Sequence, residues 1–453
     1  MRNEVFPADR DFPQLRVATD LGRMLEVFRA HLKPIAANGT RIEDCLAVRL
    51  RSRQSSARCV LQYTLQLVEP RTNRRWEHWV TGFLYAAEHE AERLWRELMA
   101  GAPRREIPDR WLTFEPVDYI PALQMLVQVF PYDRKLPQLC GTMNGGIHDL
   151  EPWLMARLGP GRWRIEEQAV EATRYRTELG AALKCHLKAR DIAGGRSEAL
   201  RCYLKVYRDD RGEQTFHLLQ SLSARTGARP YAVARPVVYS STLRTLVLEE
   251  APGSSLQQIL LSGGDPIAAV RAVARAMAAF NQDEIKIARH SPRASQLAEV
   301  EQASSLIQWG CPELRGAVAA ITGALVASLN EVPPTPIHGD LKTEHVLLHG
   351  DRVTFIDLDA VALGDPVRDP AHLYAHIAGR LGLDTLPPEQ ARAAAAALAG
   401  EYFRHVPTAW RERFPLHAAA ALLEVARGIF KRQERDWRSK VTAAVVEAQR
   451  ALT

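Results

Sequence analysis

An internal repeat constrains this chain more than any other feature. The segment VDYIPALQMLVQVFPYDRKLPQL, starting at Val117, aligns without a gap on VVYSSTLRTLVLEEAPGSSLQQI, starting at Val237, a shift of 237 − 117 = 120 residues. At this shift Pro116 meets Pro236, Tyr119 meets Tyr239, Leu123 meets Leu243, Leu126 and Val127 meet Leu246 and Val247, and Leu84 meets Leu204. Upstream, RIEDCLAVRLRSRQSSARC resembles RIEEQAVEATRYRTELGAALKC, which pairs Cys59 with Cys185 and implies a longer loop in the first copy around Pro70 to Arg75. One supersecondary unit is therefore present twice, over about residues 20–140 and 145–262.

Within each copy, side chains alternate with period two before and after one helical stretch. Cys202, Leu204 and Val206 face away from Arg201, Tyr203, Lys205 and Tyr207. Each copy reads as a small antiparallel sheet with a helix. From Asp265 the pattern becomes helical: Asp265 caps a run whose apolar face is Ile267, Val270, Val273 and Met277, and alanine-rich helices continue to Ala451. The exception is HVLLHGDRVTFID, which predicts a hairpin with strands from Val346 to Leu348 and from Val353 to Ile356 around Gly350 and Asp351.

A chain of 453 residues, 46% hydrophobic and 25% charged, has room for two or three cores, which excludes disorder and fibre. Its longest uncharged apolar stretch, Gly316 to Leu329, is too short to cross a bilayer, and the charged opening MRNEVFPADRDF lacks a secretory core. A cytoplasmic protein without a membrane partner is expected. Six cysteines with no C-x-x-C pair suit a reducing compartment and argue against both disulfides and zinc. The net charge of +6 is spread along the chain, so no specific nucleic-acid partner is expected. Only 9 of the 59 basic residues are lysines, so a lysine in an apolar strand needs a reason.

Phosphoryl transfer needs a carboxylate to orient the attacking hydroxyl, a second acid to hold metal on the phosphates, and a cation on the non-transferred phosphates. The predicted hairpin returns Asp340, before its first strand, and Asp357, after its second, to the same edge. The tripeptide His-Gly-Asp alone is not diagnostic, because it recurs at His349 to Asp351 as a plain turn. Asp340 and Asp357 lie in IHGDLKTEHVLL and FIDLDAVALGDPVRDPAHL, and together these segments resemble the catalytic core of the aminoglycoside phosphotransferase and choline kinase superfamily. His338, Gly339 and Asp340 match the H-G-D-x-x-x-x-N loop, Asp357 the metal-binding aspartate, and Gly364, Asp365, Pro366 and Asp369 the segment after it. The resemblance extends back to about Arg164 and leaves the first repeat without a counterpart.

The resemblance implies an α+β, two-lobed protein-kinase-like fold, with a small antiparallel β-sheet lobe and a helical C-lobe, and the internal repeat adds an extra N-lobe-like α+β module in front. The expected division is a degenerate repeat over 1–143, a nucleotide-binding lobe over 144–252 and a mainly helical catalytic lobe over 253–453. It implies an ATP- or GTP-dependent phosphotransferase acting on a hydroxyl of a small molecule: a sugar, an amino alcohol, an aminoglycoside-like compound or a related metabolite. Asp340 would be the catalytic base, and Lys342 would neutralise the transferring group. His345, Asp357 and Asp359 would hold Mg²⁺, or Mn²⁺, since His345 stands where the pattern has asparagine and imidazole suits softer metals. Alternatively His345 only hydrogen-bonds the loop, and Asp359 is only an anchor. Asp369 would brace the catalytic loop, and Asp365 would cap the helix near Pro366.

By the same resemblance Lys205 would bind the phosphates, and Glu249 and Ala251 would form the adenine-binding hinge, with Gly253 allowing a close turn. The alternatives are a solvated strand lysine and a structural turn. The first copy has Tyr85 at the position of Lys205, so only the later copy is equipped to hold a nucleotide. A carboxylate partner for Lys205 is hard to place, Glu213 being the nearest acid and Gln220 occupying the expected turn. The basic run GIFKRQERDWRSK favours a neutral or anionic acceptor unless it is a solvated face, and Trp410, Trp437, Tyr402 and Phe403 line a pocket or fill core. The first repeat would cap the active lobe, extend its cleft or form a homodimer surface. A second class of function, a nucleotide-binding pseudokinase acting as a docking or regulatory module, fits His345 and the missing helix carboxylate.

Overall fold

A computed structural model describes residues 6–35, 39–54, 57–144, 151–225 and 229–452. The expected 143/144 boundary adjoins residues 145–150, which lie outside the described residues. The chain divides into two compact units: Met1–Glu213 with Val237–Leu248 and Lys431–Arg435, and Gln214–Pro236 with Glu249–Phe430 and Asp436–Thr453.

The first unit holds the first repeat and most of the second, whose residues 214–236 and 249–262 belong to the second unit. Strands β1 (Arg41–Gln54), β2 (Arg58–Glu69), β3 (Arg74–Tyr85), β4 (Val117–Ile120) and β5 (Met125–Val129) form an antiparallel sheet in the order β1-β2-β3-β5-β4. The chain continues through β6 (Trp163–Arg176), β7 (Gly180–Asp191), β8 (Ser197–Tyr207), β9 (Tyr231–Val233), β10 (Pro236–Ser240) and β11 (Thr245–Glu249). Without β9, these form a second sheet in the order β6-β7-β8-β11-β10, the same order as the first. A helix follows the third strand of each, Glu90–Ala100 and Arg211–Ser223.

Register corrects one detail of the repeat. Leu84 pairs with Cys59, whereas Leu204 pairs with Leu183, so Cys59 corresponds to Leu183 and not to Cys185. The separations are 84 − 59 = 25 and 204 − 183 = 21. The first copy's extra residues lengthen its strands, since its turn, between Glu69 and Arg74, is the shorter of the two.

The turn between β6 and β7 is pinned by the first repeat. The Glu178 carboxylate accepts from Arg58 at 2.7 and 3.0 Å and from Arg134 at 3.2 Å. The Glu178 amide and the Tyr175 hydroxyl both donate to Asp133, at 2.7 and 2.8 Å. The Thr81 and Thr177 hydroxyls share a hydrogen bond of 2.7 Å. These buried polar groups are partnered, which turns a costly desolvation into a specific contact.

The second unit is mainly helical. Asp265 accepts from the Ile267 amide at 3.0 Å, and in the helix Ile267–Asn281 it precedes, Val270, Val273 and Met277 are buried. Here β12 (Ser254–Ser255), β15 (Val346–His349) and β16 (Arg352–Phe355) join β9 in a sheet of order β12-β15-β16-β9, while β13 (His290–Ser291), β14 (Thr335–Ile337) and β17 (Ala362–Gly364) form another. Tyr402 and Trp437 belong to the core, Trp437 packing edge-on against Phe430 at 5.0 Å. No helix among the described residues is long and apolar enough to cross a membrane.

Candidate active site

The candidate catalytic segment runs from the end of β14 through His338, Gly339 and Asp340 into β15, and Asp357 follows the hairpin β15–β16. Glycine is required at 339. With φ at +78°, a Cβ there would stand 2.5 Å from the Ala360 carbonyl, so a side chain would force the two loops apart. The second His-Gly-Asp is different: Gly350 has open space around it and only makes the hairpin turn.

Asp369 holds the loop in place. Its carboxylate accepts from the amides of His338 at 2.7 Å and Gly339 at 3.0 Å, and from the Asn281 side chain at 2.9 Å. His338 is buried and structural: Nε2 donates to the Ile356 carbonyl at 2.9 Å, leaving Nδ1 to accept from the Asp340 amide at 3.4 Å. Asp365 does not cap the helix Arg368–Ala375, whose N-cap is Val367; its carboxylate accepts from the Val367 amide at 3.0 Å and also binds His417 and Arg413.

Three candidate ligand atoms, one each from Asp340, His345 and Asp357, lie within 4.8 Å of one another. His345 Nδ1 faces the Asp340 carbonyl at 2.8 Å and must be the donor there, because a carbonyl only accepts. Nε2 then points at the Asp357 carboxylate, 3.3 Å away. Burial holds the imidazole's pKa below its ordinary value although Asp357 opposes this, so at neutral pH two lone pairs face each other. Such a confrontation is relieved by a cation. Two carboxylates and one imidazole therefore fit a divalent metal, with a nitrogen donor more congenial to Mn²⁺ than to Mg²⁺.

The Lys342 ammonium lies 2.8 Å from Asp340. Burial alone would raise the Asp340 pKa, but Lys342, His372 and His345 together bring it below the ordinary carboxylate value, so this group is ionised at neutral pH.

A sequence model of the phosphotransferase enzyme family matches residues 188–416, half of the chain. The chain belongs to this family. Its fold is the family's α+β, protein-kinase-like arrangement, with the first sheet preceding the kinase-like region. The family match begins within β7, so it includes Lys205, the Glu249 segment and the whole catalytic loop but leaves the first sheet outside. Among solved structures, the chain is similar to the ADP-bound aminoglycoside phosphotransferase APH(2'')-Ib, with 15% identity over 67% of this chain and 97% of the other, at a TM-score of 0.40. It is similar to a choline/ethanolamine kinase family protein from Mesorhizobium loti, with 14% identity over 59% and 85% and a TM-score of 0.39. A thermostable mutant of the phosphotransferase APH(4)-Ia with AMP-PNP and hygromycin B gives 16%, 67%, 99% and 0.44. No curated protein matches the sequence significantly.

Of the residues anticipated from sequence, this phosphotransferase brings together Asp340, Lys342, His345 and Asp357. Asp359 stands outside the three-residue cluster, and its backbone carbonyl accepts from Arg289 at 3.0 Å. Lys205 sits in β8 opposite Ala182, in the first unit. Glu249 ends β11, its amide donating to the Arg235 carbonyl at 2.9 Å, and Ala251 follows in the turn. Gly253, with φ +111°, lies so close to β15 that a Cβ would reach within 2.2 Å of the Leu348 carbonyl. The helix Arg211–Ser223 contains one acid, Glu213, exposed in its first turn, and Gln220 is also exposed.

Sequence reading missed two residues of the loop's support. Asn281 bridges Asp369 and the Pro336 carbonyl, and accepts from the Tyr402 hydroxyl at 3.0 Å. His372 donates to the Leu341 carbonyl at 2.9 Å. An asparagine closing an alanine-rich helix was the available signal for the first. The basic run gives little support to an anionic acceptor, because Arg432, Arg438 and Lys440 are paired with Glu434, Glu313 and Asp384.

Proposed function

We propose that this chain is an ATP-dependent phosphotransferase that moves the γ-phosphoryl group to a hydroxyl of a small molecule. The observation that carries the reading is the convergence of Asp340, His345 and Asp357, with Lys342 alongside. A carboxylate with a lowered pKa is a weak base, so Asp340 acts mainly by orienting the acceptor hydroxyl and takes its proton late, which suits a loose phosphoryl-transfer transition state. Lys342 keeps that carboxylate ionised and offsets charge on the transferring group. Asp357 and His345 would hold the metal, which when bound neutralises charge on the nucleotide phosphates. Lys205 is the proposed phosphate ligand, and Glu249 and Ala251 the proposed hinge contacts to the base.

Asp340→Asn is expected to reduce transfer by at least about 1,000-fold while nucleotide affinity, measured by calorimetry, stays within a few fold. Retained turnover would remove Asp340 from the chemistry. His345→Asn replaces the nitrogen ligand by oxygen, so the ratio of Mn²⁺- to Mg²⁺-supported rates should fall about fivefold or more. An unchanged ratio would mean that His345 serves only the Asp340 carbonyl.

The second reading, a nucleotide-binding pseudokinase serving as a docking module, is favoured by the imidazole at the asparagine position and by the lack of an inner carboxylate on Arg211–Ser223. An acceptor-library screen with labelled ATP separates the two. Saturable ATP binding without consumption by any acceptor supports the module.

A further inference from the structure

The edge strands of the first unit's two sheets carry a cluster of arginines that the phosphotransfer chemistry does not use. β1 supplies Arg49 and Arg51, β6 supplies Arg174 and Arg176, and Arg432 belongs to the same unit. Arg49 is paired with Gln62 of β2, and Arg51 stands at the bulge that follows, between Leu50 and Ser52. Arg51 Nε donates to the Gln62 side chain at 2.6 Å, and its Nη2 donates to the Tyr175 carbonyl at 2.7 Å. Tyr175 buries its own side chain, so its neighbours Arg174 and Arg176 both take the outer, exposed face of β6 beside Arg51.

Clustered guanidiniums are ordinarily held by carboxylates. Arg51 bonds only neutral acceptors, and Arg49 makes no hydrogen bond or ion pair among the described residues. The acid that acts on Arg49, Glu434, is itself paired with Arg432 at 2.8 Å. Burial lowers the Arg49 pKa to about 10, with repulsion from Arg432 and Arg174 added, and lowers that of Arg51 to about 9, with repulsion from Arg49, Arg176 and Arg174 added. Both groups stay cationic at neutral pH. Both also open to solvent, since the buried, unpartnered side-chain nitrogens among the described residues include none of theirs.

Arg51 fastens β1 to β6 and so has a structural use. Arg49 has none of that kind: a half-buried charge set among like charges destabilises the fold, and a bound anion would reverse the sign of that effect. The functional group selects the anion. A guanidinium is a planar fork that meets two oxygens of one phosphate at once. Arg49 and Arg51 flank Gln62, which sets two such forks side by side, and the field of Arg174 and Arg176 adds to their attraction for negative charge. Linked phosphates engage both forks together. We propose that Arg49 and Arg51 bind an anion of linked phosphate groups at a site separate from the phosphotransfer centre.

The test is calorimetry on the full-length chain with inorganic tripolyphosphate, and with citrate as a multivalent anion that lacks phosphate. It is run in a Lys205→Ala background, which removes the phosphate ligand proposed for the phosphotransfer site. Saturable tripolyphosphate binding is expected there, weakened about tenfold when Arg49→Gln is added. Without anion, the melting temperature of Arg49→Gln should equal or exceed that of its background, because no protein hydrogen bond is lost and a repulsion is relieved. The Arg49-dependent part of ADP binding, measured in the same way, tells a nucleotide's phosphates from free oligophosphate as the source. Absence of tripolyphosphate binding, equal affinity with and without Arg49→Gln, or citrate binding as tightly as tripolyphosphate would overturn the assignment. A lowered melting temperature in Arg49→Gln would do the same, since it would make Arg49 a structural residue.

Discussion

The two sheets of the first unit share one strand order and are put to different use. In the first, β2 is buried along most of its length and β5 throughout, with Tyr63 packed edge-on against Phe28 of the helix Leu21–His31 at 4.9 Å. In the second, β7 alternates between buried and more exposed positions and keeps one face toward solvent. Lys205 lies on the corresponding half-exposed face of β8 with Arg201 and Tyr203, whereas Tyr85, its counterpart, accepts a hydrogen bond from Arg134 at 3.1 Å. The contrast lies in the middle strands: β2 is buried at most positions, whereas β7 and β8 leave one face open, and the proposed phosphate ligand lies on that face.

The sharpest test of that contrast is a matched pair. Lys205→Ala should lower kcat/KM for the nucleotide by about 100-fold with little change in melting temperature, and Tyr85→Phe should leave the kinetics unchanged. Equal kinetic losses would erase the distinction between the copies.

The next effect lies on the stability side. Glu178→Ala leaves the largely buried Arg58 and Arg134 without their carboxylate and should cost roughly 3 kcal/mol in urea denaturation. A loss below about 1 kcal/mol would mean that the pin behaves as a surface ion pair.

The smallest effect contrasts two buried carboxylates, one in each unit. Burial raises the Asp133 pKa despite its hydrogen bonds, so Asp133 is a cost relieved as pH falls. At Asp365 burial also raises the pKa, but His417 and Arg413 outweigh it and bring the group from 3.8 to about 2. Its folded pKa is depressed, so its stabilisation, roughly 2 kcal/mol, is fully present above pH 4 and is lost as pH falls toward 2. Stability measured over that window should fall less steeply in Asp365→Asn than in the parent. Parallel slopes would show that Asp365 titrates normally.

Much of this was legible in the chain. A residue shift and a period of two are local properties of sequence, and they located both sheets, the helix that begins after Asp265 and the hairpin between Asp340 and Asp357, although the N-cap of that helix is Pro266 and not Asp265. The Cys59 match failed because a gap was placed in a loop when the added residues extend the strands, and identity at one position cannot fix register. Asn281 and His372 escaped notice because their partners, Asp369 and Leu341, are 88 and 31 residues away.

The amino-acid order alone determined which segments become strands or helices and which side chains carry charge or a donor atom suited to a metal, since these follow from periodicity and from functional-group chemistry. Tertiary structure decided how those groups are satisfied. It turned His345 so that its second nitrogen meets Asp357, made Asp369 a brace, pinned Glu178 between two arginines and left His78 Nε2 and Trp111 Nε1 without hydrogen-bond partners among the described residues. Each outcome depends on desolvation and on contacts between residues distant in the chain, and neither exists until the chain is packed.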